Sequence, residues 1–123
     1  MIENYAGLCF DEKIELADNP KMSVEDLAQL AGDPYWNART WAAENRNTPV
    51  STLEQLAQDP ARDVRWQVAR NPNSSLKALV LLWDYERKSG DPDIDVLKGI
   101  YGNAHSPDYL KAAIATKFPE VIK

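Results

Sequence analysis

The strongest constraint on the fold of this chain is an internal repeat with a period of 26 residues. The pair Asp33 and Pro34 recurs 26 residues later as Asp59 and Pro60. Three further sets keep the same spacing: Asn19, Asn45 and Asn71; Leu27, Leu53 and Leu79; and Leu30, Leu56 and Leu82. A period of this length is typical of proteins in which each supersecondary unit buries its apolar face only by stacking on its neighbours. The sequence therefore predicts a stack of similar units.

The period continues past the third unit once six extra residues are allowed. Asp91 precedes Asn103 by twelve residues, as Asp59 precedes Asn71, and the extra residues lie within Asp84–Gly90. We therefore predict one helical-repeat domain over residues 1–123. Its parts are an N-terminal cap or half repeat at 1–18, repeats at 19–44, 45–70 and 71–102, and a C-terminal half repeat at 103–123.

Each unit is predicted to form two short helices. Side-chain oxygens accept hydrogen bonds from the unpaired amides at a helix start, and proline is tolerated at the first helical position. We expect first-helix N-caps at Thr48, Ser74 and Ser106, first helical positions at Pro49 and Pro107, and second-helix N-caps at Asp33, Asp59 and Asp91. The expected inward positions of the first helices are Val24, Leu27 and Leu30 in one unit and Val50, Leu53 and Leu56 in the next.

No segment alternates polar and apolar residues with period two, so no β-sheet is expected. The fold class predicted is all-α, an α-solenoid (α–α superhelix) of short helix pairs with about four 26-residue repeats. Helices of two to three turns are too short to be stable alone, so stability must come from stacking.

The strings NPKMSVEDLAQLAGDP, ENRNTPVSTLEQLAQDP and DPARDVRWQVARNPN resemble the leucine-rich repeat variant family, a HEAT-like helical repeat. The resemblance covers about residues 7–115 and rests on Asn-Pro, Leu-x-x-Leu-Ala, Asp-Pro and Val-Arg elements that recur in phase. It implies a right-handed superhelix. Some members carry a cysteine-rich segment that binds an iron–sulfur cluster, but Cys9 is the only cysteine here, so that function does not carry over. The resemblance implies no common activity.

Composition argues against catalysis and metal binding. Cys9 and His105 are the only residues of their types, which leaves no internal disulfide and no set of histidine or cysteine ligands with metal-site spacing. The sequence also has no glycine-rich phosphate loop and no familiar nucleophile–base motif. We therefore expect no enzyme activity, no catalytic residue, no cofactor and no metal. Because no apolar run has membrane length and no leader precedes the repeat, we expect a cytoplasmic protein without a membrane partner.

Charge is distributed unevenly along the chain, whose net value is -5. Residues 1–34 carry two basic and eight acidic side chains, residues 35–70 carry five and four, and residues 71–123 carry seven of each. The acidic first third repels phosphate backbones, which argues against nucleic acid as the partner. It is either a surface that attracts a basic partner or simply a solvated face.

The second helices carry aromatic residues and arginines at positions outside the predicted core. Trp and Arg dominate the energetics of many binding interfaces, and stacking would align these positions. We therefore predict a partner-binding strip composed of Tyr35, Trp36, Arg39, Trp41, Arg62, Arg65, Trp66 and Arg70. A structural alternative stays open, in which Arg39 and Arg65 bond carbonyls or an aspartate of the neighbouring unit and Trp36 packs at the core edge.

The insertion at Asp84–Gly90 is expected to form a loop. Insertions in stacked repeats often lie on the binding face, although a lengthened surface loop also costs little free energy. Both interpretations remain open.

The main functional hypothesis is a non-enzymatic module that binds a protein partner of unknown identity, as a monomer or small homo-oligomer. One alternative is a HEAT-like nucleic-acid-binding protein, a reduced relative of HEAT-like DNA glycosylases. Another is an immunity or antitoxin-like inhibitor whose acidic surface blocks a basic toxin. The last is a structural fragment that stacks on copies of itself.

Overall fold

A computed structural model describes residues 22–122 of the chain. The helices in this part are α1 (Val24–Ala31), α2 (Trp36–Glu44), α3 (Val50–Leu56), α4 (Arg62–Arg70), α5 (Leu76–Lys88), α6 (Ile94–Gly102), α7 (Asp108–Lys117) and a final 3₁₀ helix (Pro119–Ile122). Residues 22–122 contain no strand, so the all-helical prediction is confirmed for this part of the chain. The predicted cap at 1–18 lies outside the described residues.

The helices alternate between two layers. In the first layer α1, α3 and α5 pack side by side, and in the second layer α2, α4 and α6 do the same. The core lies between the layers. It contains the fully buried side chains Leu53, Leu79 and Leu82 from the first layer and Val64, Val68 and Ile100 from the second. The leucines with 26-residue spacing are thus explained by burial at the layer interface.

The second layer is packed more tightly than the first. A Cβ atom on Gly99 of α6 would lie only 2.8 Å from the Cβ of Ala69 on α4, closer than side-chain atoms normally approach. Ala42 and Ala43 on α2 are fully buried as well. Small residues therefore allow the second helices to approach one another closely.

The repeated asparagines join each second helix to the next. Asn71 Nδ2 donates hydrogen bonds to the carbonyl oxygens of Ala43 and Asn45, at 2.8 and 3.2 Å. Asn103 Nδ2 does the same to the carbonyls of Ala69 and Asn71, at 2.9 and 3.2 Å. The last carbonyls of a helix have no partner within the helix, so these side chains satisfy the carbonyls of Ala43 and Ala69. The carbonyls of Asn45 and Asn71 also accept from the amides of Thr48 and Ser74.

The predicted first-helix N-caps are wrong by one residue. The hydroxyls of Thr48, Ser74 and Ser106 are buried and donate to the carbonyl oxygens six residues back, those of Ala42, Val68 and Ile100. The N-cap of α5 is Ser75, whose side chain accepts from the Ala78 amide at 3.2 Å. Pro49 and Pro107 occupy the N-cap positions of α3 and α7 rather than their first helical positions. The hydroxyls thus bond carbonyl groups near the C-terminal end of the preceding helix and do not cap the following one.

Two of the predicted core positions are on the surface. Val24 is 50% exposed and Val50 is 45% exposed. Both are the first residue of their helix, and burial begins one turn later at Leu27 and Leu53, which are fully buried.

The inserted residues lengthen a helix and do not form a loop. Helix α5 has 13 residues, whereas α3 has seven, and it continues through most of Asp84–Gly90. This stretch lacks glycine or proline until Gly90, Asp84 pairs with Arg87 at 2.6 Å, and the basic residues Arg87 and Lys88 suit a helix C-terminus. These local preferences favour two additional helical turns.

The predicted capping role of Asp91 is also wrong. The N-cap of α6 is Asp93, whose carboxylate accepts from the Val96 amide at 3.0 Å, whereas Asp91 is exposed. Asp33 and Asp59 are not N-caps either, because the N-caps of α2 and α4 are Tyr35 and Ala61. These two aspartates accept from the amide two residues on, Asp33 from Tyr35 and Asp59 from Ala61. The entry to α6 keeps the register of these turns, because α2, α4 and α6 each begin three residues after the repeated aspartate, and Asp93 occupies the N-cap position of Tyr35 and Ala61.

Candidate interaction surface on the second helices

Arg39 and Arg65 are bonded within the fold. Arg39 donates from Nε to Asp59 Oδ2 at 2.7 Å and from Nη1 to the carbonyl oxygen of Asp33 at 2.8 Å. Arg65 repeats this arrangement, with Nη1 donating to the Asp59 carbonyl at 2.8 Å and Nε to Glu86 Oε2 at 3.0 Å. The bonds considered in the structural alternative are therefore present. Arg39 therefore joins α2 to the turn before α4, and Arg65 joins α4 to α5.

Glu86 takes the place that an aspartate has in the preceding unit. Asp59 accepts from Arg39 and from the Ala61 amide, and Glu86 accepts from Arg65 and, at 2.9 Å, from the Asp93 amide. Glu86 is completely buried. The repeat does not predict this role for Glu86, because Asp91 keeps the repeat spacing and Glu86 does not. The available signal was an acidic residue inside the inserted segment.

Arg62 is half-exposed and fastens α4 to α6. It contacts Asp93 closely, Asp63 at 2.8 Å and Asp95 at 3.1 Å. The hydrogen bond from Arg62 lowers the pKa of Asp93 below its ordinary value of 3.8, and the same bond raises the pKa of Arg62. With three carboxylates around one guanidinium, Arg62 carries no uncompensated positive charge for a partner.

Trp66 and Arg70 form an accessible pair one turn apart on α4. The guanidinium carbon of Arg70 lies 4.5 Å from the centroid of the Trp66 ring. Trp66 is half-buried against the core, as is Trp41, whereas Arg70 is exposed. Such stacking orients the guanidinium while its hydrogen-bond donors stay free to meet a ligand.

The remaining aromatic residues of the strip lie at the start of α2. Tyr35 is 60% exposed and Trp36 is 45% exposed. Both residues are therefore accessible. They lie at the start of α2, whereas Trp66 and Arg70 lie on α4, the next second helix along the stack.

Two clefts flank the Trp66–Arg70 pair. One, of about 420 Å³, lies toward α6 and is also lined by Asp95, Lys98, Gly99, Gly102 and Asn103. The other, of about 290 Å³, lies toward α2 and is also lined by Glu44, Arg46, Gln67, Asn71 and Pro72. The pair therefore forms the ridge between two depressions in the second layer.

The free charge at these clefts is mainly positive. Arg46, Arg70 and Lys98 form no ion pair and no side-chain hydrogen bond with any residue in the range 22–122. Of the two acids in the lining, Asp95 is paired with Arg62, which leaves Glu44. An anionic group placed here meets donors that no internal carboxylate occupies.

Residues 22–122 contain no cluster of three or more histidine, cysteine or carboxylate side chains placed to hold a metal ion. None of the helices in that range combines the length and the apolar character needed to cross a membrane.

The stacked helix pairs, the asparagine bonds between them and the Arg–carboxylate bonds define a helical repeat protein. More particularly, the family model of the leucine rich repeat variant matches residues 36–61, which span α2, α3 and the turn that follows. The resemblance to that family is thereby confirmed over one repeat length. No curated protein and no solved structure matches the chain.

Proposed function

We propose that this protein is a non-enzymatic interaction module that binds an acidic segment of a partner protein on its second helices. The observation that carries the proposal is the Trp66–Arg70 stack between two clefts, with the guanidinium of Arg70 unpaired within residues 22–122. Arg39 and Arg65 stabilise the stack of helices, so we restrict the binding surface to Trp66, Arg70 and the flanking Arg46 and Lys98.

The chemistry of this surface favours a carboxylate next to an apolar side chain. Arg offers up to five donors in a plane and bonds a carboxylate with two of them at once. The Trp66 ring supplies apolar area beside those donors, and Trp and Arg are the residue types most enriched where binding energy is concentrated. Arg46 and Lys98 on either side extend the positive potential along the direction of stacking.

We further propose that the helix pairs form a right-handed α-solenoid of about four units with this surface on its concave side. Tighter packing in the second layer than in the first supports curvature toward the second helices. The asparagine and arginine bonds repeat with the sequence period and so would extend the same geometry from unit to unit. The single cysteine supports a reducing, cytoplasmic compartment.

The second candidate is single-stranded nucleic acid, because a tryptophan among unpaired basic residues can stack a base and contact phosphates. The net charge of -5 and the small number of free cations disfavour it. The inhibitor hypothesis remains a prediction, since most of the acidic first third lies outside the described residues.

A random peptide library displayed on phage and selected against the full chain tests the proposal without a known partner. We expect the selected peptides to be enriched in Asp and Glu beside an apolar residue. Binding should weaken by about tenfold or more on Arg70→Gln, because a hydrogen bond to a charged group is worth roughly 1.5–3 kcal/mol. Trp66→Leu, which keeps apolar bulk, should also weaken it.

Lys77→Gln provides the matched control, because Lys77 is an exposed cation on α5 away from both clefts. Peptides that bind Arg70→Gln and Trp66→Leu as tightly as the wild type would contradict the proposal. Salt-sensitive binding of labelled oligothymidine that requires Trp66, with no peptide selected, would favour nucleic acid instead.

A further inference from the structure

The extra turns of α5 have two flanks, and the chain itself covers one of them. Phe118 packs edge-on against Trp83, with ring centroids 6.0 Å apart and an interplanar angle of 89°. Lys117 Nζ donates to the carbonyl oxygen of Arg87 at 3.1 Å, which satisfies a group at the C-terminal end of the helix. On this side the C-terminal segment therefore supports the extension.

The opposite flank is open. Helices α3 and α5 pack side by side, but α3 ends at Leu56 after seven residues and α5 runs for 13. The six additional residues extend α5 by roughly 9 Å at 1.5 Å per residue. Beyond the end of α3 lies a cleft of about 550 Å³, lined by Gln58, Leu81, Asp84, Tyr85, Lys88 and Ser89.

The floor of this cleft is apolar and rigidly held. Leu81 and Tyr85 are four residues apart and so lie on the same face of α5. Leu81 packs partly against the core, and the Tyr85 ring lies 4.1 Å from the guanidinium carbon of Arg65, which is itself bonded to Glu86. Tyr85 is therefore fixed from below by the buried ion pair and presents the rest of its ring to the cleft.

The uncompensated charge at the rim is positive. Asp84 is paired with Arg87 at 2.6 Å, whereas the side chain of exposed Lys88 forms no ion pair or hydrogen bond with any other residue in the range 22–122. An apolar floor with one free ammonium group beside it is complementary to an amphipathic segment that carries a carboxylate.

We propose that this cleft binds a helical segment of a partner protein, about two turns long, in the position that a longer α3 would occupy. An apolar side chain of that segment packs on Leu81 and Tyr85, and a carboxylate one turn away pairs with Lys88. Helices pack at about 8–10 Å between axes, so a segment set against α5 continues the first layer past the end of α3. This site shares no residue with the surface around Trp66 and Arg70.

The probe for this proposal is an alanine-based helical peptide with a leucine and a glutamate four residues apart. We expect its titration into the ¹⁵N-labelled full chain to give saturable amide shifts centred on Leu81, Tyr85 and Lys88. Lys88→Gln should weaken binding about two- to fivefold, the effect of an exposed ion pair. The same substitution should leave unchanged the binding of a matched peptide in which glutamine replaces the glutamate.

Lys77→Gln, an exposed substitution at the other end of the same helix, is the control and should alter neither peptide's binding. Absence of saturable shifts up to about millimolar peptide would overturn the proposal, as would shifts centred on Trp66 and Arg70 or equal effects of the two lysine substitutions. Because the two surfaces share no residue, failure of the second-helix proposal would leave shifts at Leu81, Tyr85 and Lys88 intact.

Discussion

Arg65 Nε lies 3.0 Å from Glu86 Oε2, and both side chains are buried where the lengthened α5 meets α4. The carboxylate is shared, because its other oxygen accepts the amide of Asp93 at the entry to α6. One side chain therefore connects three consecutive helices. Because both charges are buried, loss of either side chain would leave the other charge without its counterion, which is costly in free energy.

Removing this carboxylate should destabilise the fold strongly. We expect Glu86→Ala to lower the free energy of unfolding by about 3–5 kcal/mol, because it leaves the buried charge of Arg65 without its counterion and the Asp93 amide without its acceptor. Urea denaturation followed by circular dichroism measures the change. Asp84→Ala on the same helix breaks an exposed pair and should cost less than about 1 kcal/mol. Equal losses in the two variants would contradict the bridging role of Glu86.

The asparagine hydrogen bonds between second helices should also contribute to the free energy of unfolding. Asn71→Ala removes the donor to the carbonyls of Ala43 and Asn45, and we expect a loss of about 1–3 kcal/mol in unfolding free energy. Asn73→Ala is the matched control, because its side-chain bond to the Arg46 carbonyl is exposed and should contribute less than about 1 kcal/mol. Thermal and urea denaturation of both variants tests the difference. An unchanged unfolding free energy in Asn71→Ala would contradict a stabilising role of the asparagine bonds between second helices.

The two adjacent serines before α5 should respond differently to substitution. Ser75 accepts from the Ala78 amide, so Ser75→Asn, another good N-cap residue, should change the midpoint of thermal unfolding little. Ser74 is fully buried and donates to the Val68 carbonyl at 2.6 Å. Ser74→Asp places a buried carboxylate against that carbonyl and should lower the midpoint by many degrees, since a single buried charge costs several kcal/mol. Tolerance of Ser74→Asp would instead support Ser74 as the cap.

The Arg62–Asp93 pair should contribute a pH-dependent part of the stability. Because Arg62 lowers the pKa of Asp93 in the folded state, the contribution is present above the ordinary pKa of 3.8 and is lost as the pH falls through the lower, folded value. NMR titration should find the pKa of Asp93 below 3.8 in the wild type and closer to it in Arg62→Gln. Arg87→Gln breaks a pair elsewhere and should leave the Asp93 titration unchanged; an equal shift there would rule out Arg62 as the cause.

Part of the candidate surface follows from sequence, because helical spacing and the repeat period locate Trp66 and Arg70 on one second helix, whereas Arg46 and Lys98 were not predicted. Whether the predicted strip binds a partner stays a prediction. Whether an arginine there is free depends on which carboxylate reaches it, as with Arg39 and Asp59, which are 20 residues apart. Arg39 and Arg70 are both arginines on second helices, yet the first is bonded inside the fold and the second stacks on Trp66 at the surface.

The sequence by itself determined the helical character of the described chain and the positions of the leucines and asparagines that recur with the period. These features depend on short-range spacing, which fixes the face of a helix on which a residue lies. Only the tertiary structure decided that the insertion lengthens α5 and that Glu86 accepts from an arginine as the repeated aspartate does. It also decided that the Thr48 hydroxyl donates to the carbonyl oxygen of Ala42 in the preceding helix. Each of these outcomes depends on which groups meet when neighbouring helices pack, and buried polar groups accept whichever partner lies within hydrogen-bonding distance.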